Sequence, residues 1–107
     1  MSYSVVTIPP FDRQLKRLAK KFPSLKNILA EIGRQLAENP LMGKPIGHDC
    51  YKIRIAISSK GKGKRGGARI VTYVYVAGNT LYMLAIYDKS EQDNISDKEL
   101  NDLLKVI

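Results

Sequence analysis

The sequence predicts an α+β fold in which helices cover an antiparallel sheet of four strands. Apolar residues recur at helical spacing between positions 11 and 36 and again after position 96. Three apolar stretches between positions 51 and 87 have the composition of strands, and no helix-length connection for parallel pairing separates them. The 107 residues, 44% hydrophobic and 26% charged, suffice for one compact domain. We therefore expect a single domain over residues 1–107 with the order β-α-α-β-β-β-α.

The first half of the chain predicts one strand and a helical hairpin. Residues 5–8 are largely β-branched and are ended by Pro9 and Pro10, which is typical of a short strand. Pro23 separates two stretches of helical periodicity and is expected to stop or kink the first helix. The apolar positions of these stretches are Phe11, Leu15, Leu18, Ala19 and Phe22, and then Leu25, Ile28, Leu29, Ile32 and Leu36. The second helix is predicted to end before Asn39 and Pro40.

The second half predicts a three-stranded meander and a short C-terminal helix. Residues 51–58 alternate, so that Lys52 and Arg54 lie on the face opposite Ile53 and Ile55. Residues 68–76 and 80–87 form two further strands joined by a short turn at 77–79. Ser96 and Glu99 have the spacing of a capping box, and leucines follow at helical intervals.

The charge of the chain is strongly positive and concentrated in two blocks. The formal net charge is +8, with six cations among residues 11–26 and eight among residues 44–69. Such a balance favours a polyanionic partner, either nucleic acid or an acidic protein. The single cysteine and single histidine exclude an internal disulfide and a multi-thiolate zinc site. No secretory signal or membrane-spanning run is present, so we expect a cytoplasmic protein without membrane contact.

The glycine-rich stretch at residues 61–67 formally contains the spacing of a dinucleotide-binding loop. That motif requires a helix after the loop, whereas a strand is predicted here, and no Walker sequence closes it. A simpler interpretation is a cationic hairpin loop that contacts a phosphodiester backbone. The alternative is a solvated turn without a binding role. The loop's candidate RNA contacts are Lys60, Lys62, Lys64 and Arg65.

A more specific group of candidate site residues consists of Lys52, Arg54 and Arg69. The first two share a strand face, and Arg69 opens the next strand across the hairpin. Like charges on one sheet face repel, and a bound polyanion would offset that cost, although a solvated cationic face is the alternative. His48 is interpreted as a loop residue. Most strand tyrosines are expected to be packing residues, and one on the basic face could stack on a base.

These residues, taken in order, resemble the RelE/HigB superfamily of toxins from bacterial type II toxin–antitoxin systems. The resemblance rests on His48 to Arg54, on the glycine- and lysine-rich loop, on Gly67 to Val71 and on Ile86 to Lys89, and it covers essentially the whole chain. The loop Ser59 to Arg69 and the tail Tyr87 to Ser96 resemble most the HigB-type branch.

The resemblance implies an endoribonuclease that enters the ribosomal A site and cuts mRNA by attack of the 2′-hydroxyl. It places the basic catalytic residues on Lys52, Arg54 and Arg69, and a C-terminal basic position near Lys89. The family's tail tyrosine falls on Ile95, and Tyr87 is a candidate substitute. The resemblance also implies a cognate antitoxin, mRNA and the small ribosomal subunit as partners, with no cofactor and no metal.

The residues suit that chemistry in a specific way. A free lysine has a pKa of about 10.4 and is a poor base at neutral pH. Crowding by Arg54, Arg69 and the loop cations is expected to lower the pKa of Lys52, which makes it the candidate base. The arginines stay charged and suit stabilisation of the phosphorane, while Lys89 is the candidate acid. The competing interpretations are a ParE-like gyrase inhibitor, a non-catalytic RNA-binding module and, because Ile95 stands in place of the family tyrosine, a decayed and inactive toxin.

Overall fold

The computed structural model describes residues 2–57 and 67–107, so Lys60, Lys62, Lys64 and Arg65 lie outside the described residues. Three helices and five strands form in the described ranges. In chain order they are β1 (Ser4–Thr7), α1 (Pro9–Lys21), α2 (Leu25–Glu38), β2 (Lys44–Gly47), β3 (Cys50–Ile55), β4 (Ala68–Tyr75), β5 (Thr80–Asp88) and α3 (Asp97–Leu104). The predicted α+β class and the predicted order of its elements are confirmed, with one strand added.

The sheet differs from the prediction in strand number and in one pairing direction. Its order is β1-β5-β4-β3-β2, so it has five strands rather than four. β1 pairs with β5 in parallel, which makes the sheet mixed rather than purely antiparallel. The chain between β1 and β5 passes through both helices and through β2, β3 and β4, which is long enough for the crossover that a parallel pair needs. The meander of β3, β4 and β5 is antiparallel as predicted.

The added strand, β2, lacks the usual sequence pattern of a strand. It contains Pro45 and has a register shift between Pro45 and Gly47 where it pairs with β3. Proline cannot donate to a ladder and is tolerated at a sheet edge or a bulge. β2 is such an edge strand, and it places Lys44 directly opposite Lys52.

The two predicted helices form where the prolines allow them. Pro9 and Pro10 occupy the first positions of α1, where a missing N–H costs nothing. α1 ends at Lys21, ahead of Pro23, and its inner face buries Phe11 and Leu18. α2 buries Leu25 and Leu36 and ends before Asn39, as expected. No helix among the described residues is both long and apolar enough to span a membrane.

A β-bulge in β5 determines which side chains face the same way as Arg69. Val71 is opposite Ala85 and Thr72 is opposite Met83, so Leu84 is an extra residue in the ladder. Because side chains alternate with a period of two, one extra residue moves every later side chain to the other face. The bulge therefore places Tyr87 on the face of Arg69, which it opposes directly.

Ser96 caps the start of α3 as predicted, but the Glu99 carboxylate of the predicted capping box accepts from the Ser96 hydroxyl instead of the Ser96 backbone N–H. The Ser96 hydroxyl accepts a hydrogen bond from the Glu99 backbone N–H at 3.1 Å and donates to the Glu99 carboxylate at 3.3 Å. Leu100, in the first turns, is buried against the core. The cap and this one leucine anchor the N-terminal end of α3.

Replacing Ser96 by alanine is expected to lower the free energy of unfolding by about 1 kcal/mol, because the Glu99 N–H loses its acceptor. Urea denaturation measures this difference. Ser96→Asp is the control, because aspartate also accepts at this position and should retain most of the stability. Equal free energies of unfolding for Ser96→Ala and the unsubstituted protein would contradict a stabilising role of Ser96 as the helix cap.

Candidate active site

One row of three side chains crosses the three central strands of the sheet near one end. Arg54 on β3 is directly opposite Arg69 on β4, and Arg69 is directly opposite Tyr87 on β5. Directly opposed residues have Cβ atoms about 5 Å apart and share a face. The structure thus brings together two predicted cations and the tyrosine proposed from the sequence. We call this side of the sheet, with Lys52, the cationic face.

Lys52 lies beside this row. It is two residues before Arg54 on the same face of β3, and its neighbours in the next strands are Val71 and Ala85. Its side chain is half-buried, and its Nζ donates to Asn94 Oδ1 at a long 3.5 Å. The lysine is therefore held near the sheet instead of extending into solvent.

The surroundings of Lys52 lower the pKa of its ammonium group. Burial is the largest cause, followed by the charges of Lys44, Arg54, Arg69 and Lys89. The predicted direction is confirmed, but the leading causes differ from those expected. Desolvation contributes more than any neighbouring cation, and the first of those cations is Lys44 on the unpredicted strand β2.

Lys89 joins the cationic face from the segment that follows β5. Its backbone N–H donates to the Gly67 carbonyl at 3.1 Å, next to the start of β4. A Cβ at Gly67 would lie 1.8 Å from the Ile55 carbonyl oxygen. Only glycine therefore permits the close approach between the start of β4 and the end of β3. The Lys89 ammonium donates to the Asp93 carboxylate and, at 3.3 Å, to the Asp93 carbonyl.

Asp93 and Asn94 are site residues that the sequence analysis missed. The hydrogen bond from Lys89 lowers the pKa of Asp93, and the charges of Lys89, Lys52 and Arg69 add to it. The carboxylate therefore lies within the field of the cationic face. Nothing in the sequence indicates this role, because acidic and amide residues in a polar tail are usually solvated.

Arg69 and Tyr87 are covered in this structure. Arg69 is 4% exposed, and one of its guanidinium N–H groups donates to the Ala68 carbonyl at 3.1 Å. Tyr87 is 5% exposed, and its hydroxyl has no hydrogen-bond partner among the described residues. Burial raises the pKa of Tyr87; the charge of Arg69 opposes this, and Asp93 and Glu99 add to it. Stacking of a base on Tyr87 would require the residues above it to move.

The segment between β5 and α3 is tied to α1 at one end. The Asp88 side chain is buried and accepts from the backbone N–H of Ser90 at 3.0 Å. Glu91 receives two hydrogen bonds from the Arg17 guanidinium, at 2.9 and 3.3 Å. Paired N–H donors of this kind fix geometry as well as charge. The segment is thereby positioned so that Lys89 and Asn94 reach the cationic face.

The remaining predicted residues lie apart from this cluster. His48 lies in the turn between β2 and β3 with a φ of 56°, which agrees with its interpretation as a loop residue. Ile95, which occupies the position of the expected tyrosine, is half-buried and packs against the core. It also lines a cavity of about 700 Å³ between α1 and α3. Among the described residues, no three His, Cys, Asp or Glu side chains are grouped to hold a metal.

A known family and several solved structures are similar to this chain. The sequence profile described as the RelE toxin of the RelE/RelB toxin–antitoxin system matches residues 11–106. A double mutant of the Escherichia coli toxin RelE in the free state superimposes with a TM-score of 0.66 at 17% identity, over 100% of this chain and 99% of that chain.

Two solved toxin–antitoxin complexes contain chains of the same fold. A chain of a RelBE complex of Mycobacterium tuberculosis matches with a TM-score of 0.61 at 19% identity, over 82% of this chain and 92% of that one. A chain of the intact Escherichia coli RelBE complex matches with a TM-score of 0.56 at 21% identity, over 81% and 96%. At these identities the structures establish the fold, and the HigB-type branch stays a prediction.

Substituting Lys44 by glutamine is expected to raise the pKa of Lys52 toward its ordinary value, because the first of the neighbouring charges is removed. NMR titration of lysine side chains labelled with ¹³C measures this pKa directly. Lys105→Gln removes the same charge from the end of α3 and should leave the pKa of Lys52 unchanged. A Lys52 pKa that is the same in Lys44→Gln and in the unsubstituted protein would contradict the assigned cause.

Substituting Tyr87 by phenylalanine is expected to leave the free energy of unfolding unchanged or raise it by up to about 1 kcal/mol. The reason is that the substitution removes a buried hydroxyl that has no partner among the described residues. Urea denaturation tests this expectation. A loss of more than about 1 kcal/mol would show that the hydroxyl is hydrogen-bonded in solution.

Proposed function

The chain belongs to the RelE family of toxins from toxin–antitoxin systems, and from this premise we propose that it is a metal-independent endoribonuclease that cuts mRNA in the A site of the ribosome. The observation that supports this activity best is the position of Lys52. It is half-buried among four cations that, together with burial, lower its pKa. A lysine in such surroundings is suited to act as a base, because a larger fraction of it is neutral near physiological pH.

The proposed reaction needs only proton transfer and charge stabilisation. Neutral Lys52 accepts the proton of the 2′-hydroxyl, and the resulting oxygen attacks the adjacent phosphorus. The bond from phosphorus to the 5′-oxygen breaks, which leaves a 2′,3′-cyclic phosphate on one fragment. The leaving 5′-oxygen receives a proton, for which Lys89 is the candidate donor, and becomes a hydroxyl.

The two arginines supply fixed positive charge to this reaction. Arg54 and Arg69 stand opposite each other beside Lys52, so an RNA phosphate over this part of the sheet would meet Arg54 first and Arg69 once the residues that cover it move. Guanidinium groups stay protonated and bind phosphate oxygens in pairs, which suits them to stabilise the phosphorane. Arg54 is exposed and available directly, whereas Arg69 is covered in this structure.

Lys89 and Tyr87 would act after a local rearrangement. Lys89 is paired with Asp93, and this ion pair must open before the ammonium can reach the leaving oxygen. The buried Tyr87 ring must be uncovered before a base can stack on it. Binding of RNA would compensate for both changes, because its phosphates can replace the Asp93 carboxylate as the counter-charge.

The proposed partners follow from the same chemistry. They are mRNA, the A site of the small ribosomal subunit, and a cognate antitoxin like those in the two similar complexes. An antitoxin that covers the cationic face with an acidic or helical segment, or displaces α3, would block the site. These partners place the protein in the cytoplasm.

Lys52→Ala is expected to lower the rate of mRNA cleavage about 10²- to 10⁴-fold, because the base is lost, while ribosome binding changes only a few fold. Primer extension on an mRNA translated in a reconstituted system measures cleavage, and the same mRNA without ribosomes tests ribosome dependence. Lys26→Ala is the control, because it removes an equal charge from the exposed start of α2.

The outcomes separate the proposal from its alternatives. Cuts within A-site codons that persist with Lys26→Ala and vanish with Lys52→Ala would support both the activity and the base. Loss of binding in Lys52→Ala, with no cleavage by any variant, would indicate a non-catalytic RNA-binding protein. Equal cutting without ribosomes would keep the nuclease and reject the A-site mechanism. Folded protein that neither cuts nor binds would favour a gyrase inhibitor.

A further inference from the structure

Helix α1 carries two rows of cations that differ in their partners. Arg17 and Lys21 form one row and are paired with the segment after β5. Arg17 Nη2 lies 2.9 Å from Glu91 Oε1, and Lys21 Nζ lies 3.9 Å from Glu91 Oε2 and 4.0 Å from Asp88 Oδ2. Both cations therefore have acidic partners within the protein.

The second row, which we call the α1 ridge, consists of Arg13, Lys16 and Lys20. At 100° per residue, these positions lie on the side of the helix directly opposite the buried Phe11 and Leu18. All three side chains are exposed, and none makes an ion pair or hydrogen bond within residues 2–57 and 67–107. The ridge spans about 10 Å along the helix axis at 1.5 Å per residue.

A row of like charges at spacings of three and four residues costs stability. Each such pair destabilises a helix by about 0.2–0.5 kcal/mol. The other helices avoid this cost, since Arg34 on α2 is paired with Glu31. On α3, Lys98 lies 3.0 Å from the Asp102 carboxylate, and Lys105 lies 3.9 Å from it. The α1 ridge therefore differs from the cations of α2 and α3 that have acidic partners in their own helices.

We propose that the α1 ridge binds the phosphate backbone of folded RNA, as an attachment surface separate from the cationic face of the sheet. The proposal extends the proposed function and rests on it for the source of this RNA, which is the ribosome. The ridge presents three cations and no apolar or aromatic side chain. A protein partner would be expected to bury a central apolar or aromatic contact, whereas a double-stranded RNA is recognised through its phosphates and shape.

The role of the ridge is distinct from that of the catalytic lysine. It would hold the protein on the ribosome and would make no contact with the reacting atoms. Loss of the ridge should therefore weaken binding and raise KM, while the cleavage rate at saturating ribosome concentration is retained. Loss of Lys52 should do the reverse.

The test compares two triple variants that have the same net charge. Arg13→Gln, Lys16→Gln and Lys20→Gln together remove the ridge, and glutamine keeps the helix propensity of lysine. Arg34→Gln, Lys98→Gln and Lys105→Gln together remove three cations that are paired within their own helices. Circular dichroism verifies that both variants fold. Fluorescence anisotropy with a labelled RNA hairpin gives Kd over a series of salt concentrations, and mRNA cleavage on programmed ribosomes is measured in parallel.

The ridge variant is expected to raise Kd for the hairpin more than about tenfold at 0.1 M salt. It should also reduce the slope of log K against log salt by about three, one for each lost phosphate contact. The control variant should stay close to the unsubstituted protein. Equal losses in both variants would overturn the proposal, because they would show an effect of net charge alone.

Unchanged RNA binding by the ridge variant, with or without loss of binding to a purified cognate antitoxin, would also overturn the proposal. If the unsubstituted protein binds the hairpin but cuts no mRNA on ribosomes, the proposed nuclease activity fails. The hairpin titration still decides the role of the ridge in that case. The two hypotheses can thus fail separately.

Discussion

Two arginines face each other across neighbouring strands, Arg54 on β3 and Arg69 on β4, and the fold has to hold them there against their repulsion. The register of the strands sets this arrangement, and the residues just beside it stabilise the register. Ile53 is directly opposite Ile70, and both are buried. Burying one isoleucine contributes about 1.5–3 kcal/mol, whereas like charges placed opposite each other cost about 0.2–1 kcal/mol. Packing on the hydrophobic side of the sheet therefore determines the register, although this register places the two arginines opposite each other on the cationic side.

The properties of Lys52 follow from this constraint. Since β3 cannot slide along β4, Lys52 stays beside the arginine pair, and Lys44 lies opposite it on β2. Burial of the ammonium group is the largest cause of its lowered pKa, and the charges of Lys44 and the two arginines add to it. In the proposed reaction, a lysine with a lowered pKa beside fixed arginine charges is suited to act as the base. The register that stabilises the sheet thus also sets the electrostatic surroundings of Lys52.

The acidic residues after β5 organise the site from the other side. Glu91 is paired with Arg17, and Asp93 is paired with Lys89, so the segment bridges α1 and the cationic face. The Asp93 carboxylate lies in the field of Lys52 and Arg69, where an RNA phosphate would also be attracted. The acidic tail of the sequence is therefore part of the electrostatics of the site. Its negative charges offset the cations in the absence of a polyanion.

The sequence by itself determined the α+β class, the helical hairpin, the antiparallel meander and the neighbourhood of Lys52 and Arg54, because these follow from periodicity within short segments. Only the tertiary structure decided the parallel pairing of β1, the edge strand at Lys44 and the contacts of the segment after β5, since each joins residues far apart in the chain. The position of Tyr87 shows the reason most clearly. Its face depends on the bulge at Leu84, where one unpaired residue reverses the alternation of the strand. Whether a strand contains such an extra residue depends on how it pairs with its neighbour, and the sequence of the strand alone does not record that pairing.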